Sequence, residues 1–128
     1  MFGSVFKTAA FTGLLIALGC EAADSLSSEP DFGDVYSIAI QAPAITPRLD
    51  ADGLHVTVQY SGGCKAHVFD VHFRTTGNTT EVWLQHDANG DACEAFLTET
   101  LQRDVSARIL ETPNVVLLVP DGSVFPLR

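Results

Sequence analysis

The sequence predicts an all-β domain. The expected architecture is an antiparallel β-sandwich of about seven strands, immunoglobulin-like in size, with one intra-domain disulfide. Three observations carry this expectation. Apolar and polar residues alternate along several short stretches, as in "LHVTVQY" and "HVFDVHF". Clusters of Gly, Pro, Asn and Asp separate those stretches at short intervals, which is turn chemistry. Cys64 and Cys93 form an available pair once Cys20 is given a different chemistry.

"VYSIAIQAP" alternates and ends at Pro43, a first strand. "APAITPRLDADG" reads as a turn-rich connection, with prolines at 43 and 47 and "DADG" as a turn. In "LHVTVQY", Leu54, Val56, Val58 and Tyr60 face one way and His55, Thr57 and Gln59 the other. "SGGCK" interrupts the pattern, and Gly62 and Gly63 read as a turn or bulge. The next strand puts His67, Phe69, Val71 and Phe73 on one face and Val68, Asp70 and His72 on the other. "TTGNTT" is a second break; its Asn78-Thr79-Thr80 matches a glycosylation sequon and is read as a polar loop. "EVWLQH" is a short strand with Trp83 as the expected core anchor. The stretch from Cys93 to Leu110 fits two periods: Leu97, Leu101 and Val105 at helical spacing, and Cys93, Ala95, Leu97, Glu99 and Leu101 at strand spacing. Every other segment is a strand, so we expect a strand to about Gln102 and a short turn or single helical turn at "DVSARI". "NVVLLVPDGSVFPL" closes the chain as a hairpin turning at Pro120, Asp121 and Gly122.

Residues 1–19 have the order of a secretory signal: Lys7, then the apolar "AAFTGLLIALG", then small Gly19 before Cys20. The run is too short to span a membrane. "IALGC" resembles the bacterial lipobox, in which the peptidase cuts before the cysteine and that cysteine is acylated. The resemblance implies Cys20 as the lipidation site and a lipid-anchored envelope protein, and Glu21 after it points to the outer membrane. The alternative is an ordinary signal peptide cut near Ala22 or Ala23. Residues 20–34 then form a lipidated cysteine and an acidic, flexible tether, and residues 35–128 the β-sandwich domain. Removing 1–19 leaves 109 residues with six Lys/Arg against sixteen Asp/Glu, a net charge of −10. That balance disfavours nucleic acid as a partner.

"HDANGDACEA" admits three readings. As a calcium loop, Asp87, Asn89 and Asp91 fill positions 1, 3 and 5, but Ala92 stands where Gly belongs and Thr98 where a bidentate Glu belongs. As a hairpin, Asp87–Gly90 is the turn, opposing His86 with Asp91, Leu84 with Cys93 and Val82 with Ala95. Cys93 then faces inward and can bridge to Cys64; closing a loop of that length contributes on the order of 3–4 kcal/mol. The third reading is a zinc or copper site from Cys64, His67, His86 and Cys93, begun by the C-x-x-H of "CKAH". An oxidising compartment favours the disulfide, and no cofactor is then expected.

Gly62, Gly63, Cys64, His67, Phe69 and the later Cys93 resemble a Gly-Gly-Cys-x-x-His-x-Phe element of uncharacterised bacterial lipoproteins. That resemblance implies an exported β-rich domain and no particular activity. No G-x-S-x-G, H-E-x-x-H or P-loop is present. His72 and Asp70 share a strand face and read as solvated surface. The expectation is a non-catalytic binding or structural domain, anchored to the membrane through its lipid, with a protein, peptide or glycan as ligand. The alternative is a small metal-binding envelope protein.

Overall fold

The computed structural model describes residues 29–128, so Cys20 and the signal segment lie outside the described residues. The described chain forms β1 Ser37–Ala39, β2 Arg48–Asp50, β3 Gly53–Gly62, β4 Val68–Thr76, β5 Thr79–Asp87, β6 Ala95–Arg103, α1 Ala107–Glu111, β7 Asn114–Leu118 and β8 Val124–Pro126. These strands make two sheets that pack into a β-sandwich.

The first sheet is organised by β3, the longest strand. β6 pairs with it antiparallel along its whole length, from Leu54↔Arg103 to Gly62↔Ala95. Its other edge is shared: β1 covers Thr57–Gln59 and β2 covers Gly53–His55. The expected first strand is therefore only three residues long, and Ile40–Pro47 loops out before β2 resumes the same edge. β2 is the eighth strand, one more than expected. Its three residues lie between Pro47 and the Ala51–Asp52 turn, too short a run to show alternation.

The second sheet runs β4-β5-β7-β8. β4 and β5 form a hairpin through Gly77 and Asn78, and β7 and β8 a second one through the expected Pro120–Gly122 turn. β7 joins β5 in parallel, Thr79↔Asn114 to Val82↔Leu117, so the sandwich is not wholly antiparallel. The Cys93–Leu110 stretch resolves as the strand β6 followed by one turn of helix, α1.

The core lies between the sheets. From β3 it takes Leu54, Val56, Val58 and Tyr60; β5 supplies Val82 and Leu84 from the facing layer. Alternation thus assigned the β3 faces correctly. It did not do so for Trp83. Trp83 is half-buried on the outer face of β5, where its indole N–H donates to the Asp31 carbonyl at 3.2 Å and His72 stacks on it. Val82 and Leu84, its neighbours in sequence, take the core positions that the period of two requires.

The packed chain also begins before Val35, inside the stretch expected as tether. The His86 N–H donates to the Phe32 carbonyl at 2.9 Å, and the Asp34 N–H donates to the His86 carbonyl at 2.8 Å. Gly33 sits at the resulting bridge with φ +70°, and a Cβ there would strike the His86 carbonyl.

The expected β5–β6 hairpin does not form. β6 pairs with β3, and residues 88–94 cross from the second sheet to the first. Two further crossings lie at the same end of the sandwich: 63–67, from β3 to β4, and 34–36, from the His86 bridge to β1. The polar residues of interest collect where these three crossings meet.

Candidate functional site

Cys64 and Cys93 are joined by a disulfide, with Cα atoms 5.8 Å apart. Each cysteine lies two residues beyond the Gly62↔Ala95 end of the β3–β6 ladder. The bridge therefore ties two adjacent crossing segments.

The turn in "HDANGDACEA" falls one residue later than expected. The Asp91 N–H donates to the Ala88 carbonyl at 3.0 Å, and both central residues have positive φ, Asn89 at 54° and Gly90 at 69°. This is the Asn-Gly pattern of a type I′ turn. The three oxygen-bearing side chains diverge. Asp87 accepts from the Asn89 N–H, the Asn89 amide donates to the Ala66 carbonyl, and Asp91 turns inward. The calcium geometry is absent from this loop.

Asp91 is the centre of the cluster; its side chain is 0 % exposed. Its Oδ2 accepts from the Cys64 N–H and the Lys65 N–H, both at 3.0 Å, and lies 2.9 Å from His67 Nε2. Its Oδ1 accepts from the Cys93 N–H at 2.9 Å. One carboxylate thus holds the backbone of both bridged cysteines. The hydrogen bond from His67, then those from the backbone of Cys93, Lys65 and Cys64, hold its pKa well below the usual carboxylate range, against the opposing effect of burial.

From Asp91 a hydrogen-bond chain runs through two imidazoles. His67 Nδ1 lies 2.8 Å from His86 Nε2, and His86 Nδ1 lies 3.1 Å from the Asp34 carbonyl oxygen. The ends of this chain fix its protons. A carbonyl oxygen only accepts, so His86 Nδ1 carries a proton. An ionised carboxylate also only accepts, so His67 Nε2 carries one. The two rings are thereby linked end to end between Asp91 and the Asp34 carbonyl oxygen.

The surroundings are aromatic. The Tyr60 ring lies 4.6 Å from the His67 ring, and Phe69 stacks on His86 at 4.2 Å with planes 3° apart. Phe69 and His86 are direct cross-strand partners in the β4–β5 hairpin, which sets the stack. Tyr36 packs edge-on against His86, and its hydroxyl donates to the Leu84 carbonyl at 2.6 Å; burial raises its pKa. The Tyr60 hydroxyl donates to Glu99 at 2.8 Å, and burial together with that carboxylate pushes its pKa up to about 12.

Gly62 makes the pair possible. A Cβ there would overlap His67 Nε2 and lie 2.9 Å from Asp91 Oδ2. The sequence marked Gly62 as a turn or bulge; its role is to leave room for the His67–Asp91 contact.

The structure brings Cys64, Cys93, His67 and His86 into one neighbourhood, as the metal reading required. It places their donor atoms otherwise. Both sulfurs are in the bridge, and all four ring nitrogens are engaged with each other, Asp91 or Asp34. Sequence reasoning missed Asp91 and Asp34 as partners of these histidines. His72 and Asp70 lie exposed on the outer face, as expected.

A cleft of about 360 Å³ opens over this cluster, floored by His86, Tyr60 and Asp91 and flanked by Val35 and Phe96. Phe96 is 70 % exposed and Val35 90 %. No protein-family model, curated protein or solved structure matches this chain.

Proposed function

We propose that this protein is a lipid-anchored bacterial envelope protein whose β-sandwich is a non-catalytic binding domain. One observation carries the second half of the reading. The groups best suited to acid–base, thiol or metal chemistry are joined to one another: Cys64 to Cys93, and His67 and His86 to Asp91 and Asp34. Among the described residues no buried side-chain nitrogen or oxygen lacks a hydrogen-bond partner. A general base needs a nitrogen lone pair facing the substrate, and a nucleophile needs a free thiol. Here both are used to hold three chain crossings together.

The disulfide supports export, because such bridges persist in oxidising compartments. The lipobox-like "IALGC" supports Cys20 as the anchor, since several acyl chains on one residue hold a protein at a membrane stably. The exposed Phe96 and Val35 beside a cleft support binding as the activity.

Intact-mass analysis of the full chain, expressed in a lipoprotein-processing host and purified without chelator, tests this reading. The expected product starts at Cys20, carries acyl chains, and is two hydrogens lighter than its reduced form. An unacylated product cut near Ala22 would overturn the anchor. A reduced chain with a stoichiometric zinc or copper adduct would overturn the binding-domain reading in favour of metal handling through Cys64, His67, His86 and Cys93.

A further inference from the structure

We propose that Cys64, Cys93 and Asp91 form a redox-gated site for a zinc-class divalent cation, closed while the cysteines are bridged and open once they are reduced. The proposal goes beyond the binding-domain reading, which concerns the bridged protein.

Two different ties hold these cysteines together, and only one of them is the sulfur–sulfur bond. The other is Asp91. Its Oδ2 accepts from the N–H groups of Cys64 and Lys65, and its Oδ1 accepts from that of Cys93. The β3–β6 ladder ends at Gly62↔Ala95, two residues from each cysteine. None of these bonds passes through sulfur. Reduction therefore leaves both cysteine backbones on the carboxylate, near their present Cα separation of 5.8 Å.

Three donors then converge. The ligand atoms of Cys64, Asp91 and Cys93 all lie within 4.8 Å of one another. Two thiolates on one tetrahedral zinc, each at about 2.3 Å from the metal, stand about 3.8 Å apart. Rotation of the cysteine side chains reaches that separation while the backbone stays in place. Asp91 has a lone pair to give, since Oδ1 accepts from the Cys93 N–H and a carboxylate oxygen has room for two such bonds. His67 supports the site without joining it. Its Nε2 lies 2.9 Å from Oδ2 and orients the carboxylate from behind, as the outer partner of a metal ligand does. Cys64 is exposed, so the fourth position faces water.

The donors select the cation. Thiolates favour zinc and its heavier relatives over magnesium or calcium, and a net charge of −9 on the chain draws cations in. The reductant is an external dithiol. Its thiolate attacks the exposed Cys64 sulfur, the bridge breaks, and Cys93 departs as a thiolate. The second thiolate of the reductant then displaces Cys64, and the reductant leaves as a disulfide, having supplied two electrons. Zinc takes both cysteine thiolates, and the two protons lost by the dithiol go to solvent.

The full chain in detergent, reduced with dithiothreitol and freed of it under nitrogen, tests the proposal with zinc alone as the probe. A second group of converging donors, Asp50, Asp52 and His55, has no sulfur and behaves alike in both redox states, so the readout is the difference between them. Native mass spectrometry should show one more zinc per chain after reduction than before, and circular dichroism should show no loss of strand. Cys64→Ser and Cys93→Ser should each weaken that uptake at least about tenfold in competition with a chromophoric chelator. In the reduced parent protein, zinc should move the ¹³C signal of the Asp91 carboxyl and leave the ring ¹⁵N signals of His67 and His86 outside the metal-bound range. Equal uptake in both states would overturn the proposal, and so would reduction that unfolds the chain. A metal-bound His67 or His86 ring beside an unmoved Asp91 signal would overturn it as well.

Discussion

At the scale of single residues, Asp91 and Gly62 define the structure most sharply. Asp91→Asn removes the buried carboxylate that faces His67 and holds the backbone of Cys64, Lys65 and Cys93, and leaves a ring N–H facing an amide. Removing one partner of a buried pair costs more than removing both, because the survivor keeps its desolvation penalty. The double variant Asp91→Asn/His67→Gln should therefore unfold at a higher urea concentration than Asp91→Asn alone. Additive losses would contradict the pairing. Gly62→Ala should destabilise by about 1–3 kcal/mol in the same assay, since the new methyl group must displace His67 or Asp91. Neither role was visible in the sequence. "SGGC" announces a turn wherever it occurs, and Asp91 follows His67 by 24 positions and meets it only where two sheet crossings come together. The Asn-Gly turn was legible because its chemistry is local; its register slipped by one residue because "DANG" and "ANGD" both make acceptable turns.

At the scale of elements, the period of two did most of the work. It placed Leu54, Val56, Val58 and Tyr60 in the core and marked β6 as a strand where helical spacing was also present. It failed at Trp83, where the size of the residue was weighed above its phase. Leu84→Ala should cost about 2–5 kcal/mol in urea unfolding, and Trp83→Phe less than about 1 kcal/mol. A reversed order would mean that the β5 faces are exchanged. Strand pairing was the least legible feature. β5 and β6 are consecutive, apolar on alternate residues and separated by a tight turn, so local reasoning joins them. The structure instead gives β5 to β4 and β7, and β6 to β3, because each inner face must meet the other across a sandwich core. The three-residue strand β2 could not announce itself at all.

At the scale of the whole molecule, one end of the sandwich is held by a disulfide, one carboxylate and two imidazoles. This arrangement shapes the dependence of stability on pH. Asp91 has a depressed pKa in the folded chain, so the stability it contributes is present above about pH 4 and falls as acid protonates it. Tyr60 has a raised pKa, so its contribution is complete below its ordinary value of 10.0 and is lost as pH climbs towards about 12. Urea midpoints measured across pH should decline on both sides, and Tyr60→Phe should remove part of the alkaline decline. An alkaline limb unchanged in that variant would remove Tyr60 from the account. The measurement that bears most directly on the central claim is the ¹⁵N spectrum of the ring nitrogens of His67 and His86 in the native, oxidised protein. The closed chain from Asp34 to Asp91 predicts protons on His67 Nε2, facing the Asp91 carboxylate, and on His86 Nδ1, facing the Asp34 carbonyl. A bare nitrogen at either position would contradict it: the cluster would then have a lone pair to offer, and catalysis or metal binding would return as the function to test.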